Sequence, residues 1–125
     1  ILNKKKNVSF VNAELTSEIA YNMPCYDLVS FLNVFHHIVH FKGFNEADKI
    51  MKCLYKKTNK YFIFETGQYN EKGLYWSNDL SFMGDSPTEW VLEYLQMLGF
   101  LEVKMVSKFK THLNSEERGF FICTK

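Results

Sequence analysis

The chain of 125 residues has few of the residues that mark specialised classes of protein. Two prolines and six glycines are too few for collagen-like or linker-like material. Three widely spaced cysteines without a CxxC pair exclude a disulfide scaffold and predict a reducing, cytoplasmic location. A net charge of +1 gives no support to a nucleic-acid partner. No apolar run approaches the roughly 20 residues that span a bilayer, so we expect no membrane partner.

Bulky apolar side chains, in contrast, are plentiful. Apolar residues make up 46% of the chain and aromatic residues 17%, which is enough to build the core of one domain over residues 1–125. Segments typical of strands alternate with segments typical of helices, and this order predicts an α/β sheet with crossover connections. The predicted strands are 8–11, 28–32, 61–64, 100–106 and 118–124. The continuous apolar run at 28–32 predicts a strand that is buried on both faces.

Two segments carry helix signals. The first is 45–57, where Asn45 is a suitable N-cap. An apolar stripe on this helix is formed by Ala47, Ile50, Met51 and Leu54. A second helix opens at Ser86 and Pro87, with Glu89 completing a capping box, and Gly99 ends it.

Ligands of open α/β sheets bind beyond the carboxyl ends of the strands, which selects residues 12–15, residues 33–40 and the stretch from Glu65 onward. The connection 66–85 is much longer than the usual ~4–6 residues. We therefore expect it to act as a lid or to bind substrate, through Tyr69, Tyr75 and Trp76. The alternative is that these aromatic rings form a small core under the loop.

Four stretches resemble class I S-adenosylmethionine-dependent methyltransferases. YDLVSFLNVFHHI at 26–38 resembles the fourth-strand motif of that family, and NAEL at 12–15 is similar to the turn after its third strand. Residues 61–66 match the fifth strand, and residues 89–125 resemble the last helix, its Gly-Phe turn and the final hairpin. The resemblance covers the chain from about Val8 to its end.

The resemblance implies a Rossmann-like, mostly parallel sheet with strand order 3-2-1-4-5-7-6 and an antiparallel C-terminal hairpin. The glycine-rich turn of the family is missing, since all six glycines stand alone. We therefore expect an incomplete domain without the first two strands, which is the C-terminal part of a longer methyltransferase and is inactive by itself. Such a domain would expose one edge of the strand at 28–32, through which copies could associate.

The resemblance also implies S-adenosylmethionine as cofactor and transfer of its methyl group to a small molecule or a modified nucleic-acid base. Contacts to the adenine would come from Ala13, Glu14 and Leu15, and contacts to the methionine portion from Asn33 and Val34. The catalytic residues facing the methyl group or the acceptor would be His36, His37 and Glu65. A histidine can act as general base where the acceptor must lose a proton.

Three other interpretations stay open. The chain could be a non-catalytic methyltransferase-like domain that binds or regulates a partner, or a different doubly wound fold such as a nucleotide-binding regulator. The histidines could simply pack at the start of a helix, and Glu14 could be a surface acid. His36 and His40 are spaced like metal ligands on a helix, but no acid or cysteine lies at a fitting spacing, so we predict no metal site.

Overall fold

The structure is a computed structural model that describes residues 7–125. Helical segments separate β1 from β2 and β2 from β3, as the sequence predicts for an α/β domain. In chain order they are α1 (Ser17–Asn22), β1 (Tyr26–Leu32), α2 (Phe35–Lys42), α3 (Phe44–Lys57), β2 (Thr58–Glu65), a 3-10 helix (Ser77–Met83), α4 (Pro87–Leu98), β3 (Glu102–Lys110) and β4 (Glu117–Thr124).

The four strands form one open mixed sheet in the order β1-β2-β4-β3. β1 runs parallel to β2, whereas β4 is antiparallel to both β2 and β3. The order and directions correspond to the 4-5-7-6 part of the predicted sheet. The fold is therefore consistent with a partial Rossmann-like domain, and β1 lies at the edge where an exposed strand was expected.

One face of the sheet packs against the helices, and we call it the covered face. It consists of Val29, Phe31, Phe62, Phe64, Val103, Phe121 and Cys123. The Phe35 ring of α2 meets Phe64 at a centroid distance of 5.8 Å and Tyr94 of α4 at 5.9 Å. Ile50 of α3 and Leu95 of α4 are fully buried in the same core. The apolar stripe predicted on α3 is buried, which confirms that helix face.

The prediction that the strand at 28–32 is buried on both faces is wrong. Leu28 is 52% exposed and Leu32 41% exposed, on the face opposite Phe31. Tyr61, which pairs with Leu28 in β2, is 48% exposed on the same side. A continuous apolar run is typical of a strand between two helical layers, but the described chain covers only one face. We call the opposite side of the sheet the open face.

The predicted strand at 8–11 is also wrong, because these residues belong to no strand. Phe10 and Val11 are each 82% exposed. The sheet of the described residues has its edges at β1 and β3, and residues 8–11 extend neither edge. β-Prone side chains form a strand only where a neighbouring strand supplies the ladder of hydrogen bonds.

The helix signals are confirmed in part. Pro87 occupies the first turn of α4, and Gly99 ends that helix with a left-handed φ of 116°. The predicted capping box is wrong, since the Ser86 side chain makes no cap hydrogen bond and its ψ of 70° departs from the extended form of such caps. Asn45 is not an N-cap either, because α3 starts at Phe44 after Gly43. None of the helices within residues 7–125 has the length and apolarity that a bilayer crossing requires.

Candidate functional site

Several predicted site residues lie where β1 and β2 end. Asn33 follows β1 and has a left-handed φ of 58°, and its N–H donates to the Glu65 carbonyl oxygen at 3.0 Å. This bond fixes the ends of the two parallel strands side by side. Val34 then caps α2, so that His36 and His37 lie in its first turn. The edge is the position at which ligands of open α/β sheets bind.

His36 is buried, with 1% of its surface exposed. Its Nδ1 accepts a hydrogen bond from the Gly67 N–H at 2.9 Å and lies 3.2 Å from Thr66 Oγ1. Burial, assisted by the charges of His37 and Arg118, lowers the pKa of His36 to about 3. The ring is therefore neutral with its proton on Nε2, and its Nδ1 lone pair is already used.

Gly67 is required by the close packing around His36. A Cβ on Gly67 would lie 2.5 Å from the Trp76 ring and 2.8 Å from His36 Cγ. The Trp76 ring lies 4.4 Å from the His36 ring and is 2% exposed. Trp76, predicted to bind substrate, is thus in contact with the histidine and shielded from solvent.

His37 is half-buried, and its ring lies 4.1 Å from that of His36. Its Nδ1 is 3.1 Å from the hydroxyl oxygen of Tyr75, a residue that is 63% exposed. Burial and the charges of Arg118 and His40 lower the pKa of His37, so its imidazole is neutral near pH 7. The neutral, accessible imidazole of His37 can accept a proton. His36 cannot, because its Nδ1 already accepts a hydrogen bond and its ring is buried.

His37 lines a cavity of about 250 Å³ beside the start of α2. The remaining lining residues are Glu14, Leu15, Val34, Ile38, Phe41 and Lys42. The Glu14 carboxylate lies 3.0 Å from Lys42 Nζ, and both groups are largely exposed. Ala13 lies elsewhere, in a neighbouring apolar cavity of about 530 Å³ that also includes Leu15. Three of the predicted cofactor residues therefore meet His37 in one cavity, and Ala13 and Asn33 do not.

Glu65 lies in a buried ionic cluster that sequence reasoning missed. Arg118 of β4 is 2% exposed and donates to Glu65 Oε1 at 2.8 Å and to Asn33 Oδ1 at 2.9 Å. It also donates to both carboxylate oxygens of Glu71, at 2.9 and 3.1 Å. Burial lowers the pKa of Arg118, but hydrogen bonds and attraction from Glu71 and Glu65 outweigh it and raise the pKa. We call Asn33, Glu65, Glu71 and Arg118 the carboxyl-edge cluster.

The segment 66–85 combines the two roles considered for it. Trp76, Leu80 and Met83 are buried, so part of the segment forms a small core that includes the 3-10 helix. Tyr69 is half-buried, with the Lys72 ammonium 3.1 Å from its ring centroid. Tyr75 remains open to solvent beside His37. Tyr75 is therefore the aromatic residue of this segment that a ligand could reach most readily.

Within residues 7–125, no group of three or more His, Cys, Asp or Glu side chains could hold a metal ion. The two histidines with metal-like spacing have separate partners. His36 accepts from Gly67, whereas His40 Nδ1 lies 2.6 Å from Asp79 Oδ2.

No family model matches the chain, and no curated protein matches it. Solved structures do. A high-resolution (2.2 Å) crystal structure of WbdD has a TM-score of 0.65 and 26% identity, over 86% of this chain and 22% of that chain. A medium-resolution structure of the same bifunctional kinase-methyltransferase gives the same values. Monomeric WbdD gives a TM-score of 0.60 at 23% identity. The chain thus spans about a fifth of the length of these structures, and its fold is related to that of a methyltransferase.

Proposed function

We propose that this chain forms one side of an S-adenosylmethionine-dependent methyltransferase site, in which a methyl group passes to a small molecule or a modified nucleic-acid base. The observation that carries the proposal is the convergence of Glu14, Leu15, Val34 and His37 on one cavity beside the ends of the parallel strands. Similarity to a kinase-methyltransferase over 86% of the chain supports it.

The cavity suits the adenine end of the cofactor. Leu15, Val34, Ile38 and Phe41 provide apolar surface for a flat ring, and the exposed Glu14 carboxylate can accept a hydrogen bond from an amino group. A volume of about 250 Å³ is below the usual range for a whole drug-sized ligand, so it would hold only part of the cofactor. Asn33 and the Ala13 backbone would approach the cofactor from the flanks of this cavity.

The acceptor would lie on the histidine side. The bound cofactor supplies an electrophilic methyl carbon on a cationic sulfur, so positioning of the acceptor is the main task of the protein. When His37 Nδ1–H donates to the Tyr75 oxygen, Nε2 keeps its lone pair and can take the proton of the acceptor. His36 and Trp76 would orient His37 through ring contacts, while Glu65, Tyr69 and Tyr75 would contact the acceptor.

Calorimetric titration of the full-length protein with S-adenosylhomocysteine tests the proposal. We expect binding that Glu14→Gln weakens by roughly tenfold, because the remaining amide oxygen accepts only a neutral, weaker hydrogen bond. The matched control is Glu93→Gln on the exposed side of α4, which should leave the affinity unchanged. Absence of heat, or equal affinity in both variants, would contradict the assignment of the cavity to adenine.

A non-catalytic methyltransferase-like domain that binds a partner is the second candidate. The feature that favours it is the lack of a glycine-rich turn in the sequence, since the six glycines stand singly. This candidate predicts no binding of S-adenosylhomocysteine, so the same titration separates the two. For either function we propose a cytoplasmic location, because all three cysteines are free.

A further inference from the structure

The carboxyl-edge cluster joins segments that are remote in sequence. Arg118 lies 47 residues from Glu71, 53 from Glu65 and 85 from Asn33. It is the only member supplied by β4, and the other members come from the turn after β1, from the end of β2 and from the 66–76 segment. One side chain therefore connects the cofactor side of the proposed site with its acceptor side.

The guanidinium group makes two kinds of contact. Its Nε and Nη2 donate to Glu71, at 2.9 to 3.1 Å, in the two-pronged arrangement that Arg forms with carboxylates. Its Nη1 donates to Glu65 Oε1 and Asn33 Oδ1, at 2.8 and 2.9 Å. Lysine has no planar fork and could not make both sets of contacts at once.

Glu71 connects Arg118 to the loop that contacts the histidines. Its Oε2 accepts from the Gln68 N–H at 2.6 Å, and its Oε1 accepts from Asn114 Nδ2 at 3.1 Å. Gly67, the residue before Gln68, donates its N–H to His36 Nδ1. The position of His36, and of the adjacent His37 ring 4.1 Å away, therefore depends on a loop that the Arg118–Glu71 pair holds in place.

Stability alone does not account for such a cluster. A buried ion pair loses so much hydration that well-packed apolar side chains often serve as well. The cluster instead provides a defined geometry. It fixes the side chain of Asn33, whose left-handed φ of 58° is unusual for a residue other than glycine.

We propose that Arg118 is a positioning residue, which locks the 66–76 segment and the Asn33 turn together and so presents His37 to the acceptor. The role in presenting His37 rests on the proposed methyltransferase function. The locking of the segment is a separate physical statement, and it can be measured without any ligand.

The test compares amide hydrogen exchange in the full chain and in three variants. In Arg118→Met we expect exchange at the Gly67 and Gln68 amides to rise by roughly tenfold relative to the Phe62 and Phe64 amides of β2, because a charge-assisted anchor is lost. Arg118→Lys should show a smaller rise in the same amides. Leu95→Ala, a core truncation in α4, is the matched control and should raise exchange without preference for this segment.

The exchange measurement and the ligand titration test separate parts of the proposal. The proposal is overturned if Arg118→Met changes the amide exchange pattern in the same way as Leu95→Ala. If Arg118→Met does not fold, the exchange pattern of Arg118→Lys is compared with that of Leu95→Ala instead. Titration with S-adenosylhomocysteine should show weaker binding to Arg118→Met than to the unmodified protein. Equal affinity would overturn the role of Arg118 in the proposed methyltransferase site. A complete lack of binding by the unmodified full-length protein contradicts the proposed function, while the exchange ratio still decides whether Arg118 locks the segment.

Discussion

The covered face of the sheet and its carboxyl-edge cluster are built on opposite principles. On the covered face, Phe31, Phe62 and Phe64 stack on one another and pack under the helices, with no more than 6% of any of them exposed. At the carboxyl edge, Arg118, Glu65 and Glu71 are just as buried but carry charge. The covered face is stabilised by burial of apolar surface, and the carboxyl-edge cluster is held by ion pairs and hydrogen bonds.

The difference separates what stabilises the fold from what shapes the site. Apolar packing tolerates changes of side chain if the volume is kept, because its energy follows buried area. The ionic cluster tolerates little, because a lost partner leaves an uncompensated buried charge. Substitutions that keep shape should therefore be mild on the covered face and severe in the cluster.

The largest effect is expected on the covered face, from loss of volume. Phe64 is fully buried, so Phe64→Ala should lower the free energy of unfolding by about 4 kcal/mol, whereas Phe64→Leu should cost much less. Urea denaturation followed by circular dichroism measures both. Tyr61→Ala in the same strand is the control, since Tyr61 is 48% exposed on the open face. Equal losses for Phe64→Ala and Tyr61→Ala would mean that the helices do not cover this face.

Loss of charge at constant shape should be severe in the cluster. Glu71→Gln keeps the side-chain volume but removes the charge opposite Arg118, and we expect it to lower the free energy of unfolding by about 3 kcal/mol. The control is Asp27→Asn, which breaks the exposed pair with Lys60 at the other end of β1 and β2 and should leave the denaturation midpoint unchanged. A stable Glu71→Gln variant would show that geometry, without charge, holds the edge.

A pH effect of intermediate size is expected from His36. Its pKa falls from 6.5 to about 3 on folding, so the unfolded chain binds a proton between these values and the folded chain does not. Stability therefore falls as the pH drops below about 6.5, by about 2 kcal/mol between pH 7.5 and pH 5. Denaturant midpoints measured at both pH values should show this fall in stability, and the fall should be smaller in His36→Gln. His112→Gln on the exposed hairpin is the control. An unchanged fall in stability in His36→Gln would contradict the buried, neutral state of His36.

The smallest effect on stability concerns the open face and its edge. We propose that copies of the chain associate through β1, and Leu28→Lys should weaken this association while changing the free energy of unfolding by less than ~0.5 kcal/mol. Sedimentation velocity over a range of concentrations measures it. Val106→Lys on β3, the other edge strand, is the matched control, because Val106 is also half-exposed. A chain that stays monomeric at every concentration would contradict the proposal.

The elements that could be predicted from the sequence are those with local signals. The apolar stripe of α3 runs from Ala47 to Leu54, and the end signals of α4 are Pro87 and Gly99. Each of these signals acts within a turn or two of its own helix. Two local signals failed, the caps predicted at Asn45 and Ser86. Prediction also failed at 8–11 and at the second face of β1, where the outcome depends on whether another strand or helix lies alongside. Strand propensity describes a side chain, whereas pairing and burial describe its neighbours.

The candidate site could be predicted only in outline. The rule that ligands bind beyond the ends of parallel strands selects only the stretches 12–15 and 33–40, and the resemblance to methyltransferases names Glu14, Val34 and His37 within them. Two adjacent histidines could not be told apart, since a helix turns by about 100° per residue and only the fold decides which one points inward. Arg118 was missed, although it shares its strand face with Phe120 and Ile122, and a charge among apolar residues in a strand indicates a buried partner.

The sequence by itself determined the α/β pattern, the helix faces and the resemblance to methyltransferases, because these depend on residue type and short spacing. Only the tertiary structure decided that one face of the sheet stays open, that His36 is sequestered while His37 remains accessible, and that Arg118 joins Glu71, Glu65 and Asn33. The physical reason is that burial and ion pairing depend on atoms that lie up to 85 residues apart, and no local pattern encodes their meeting.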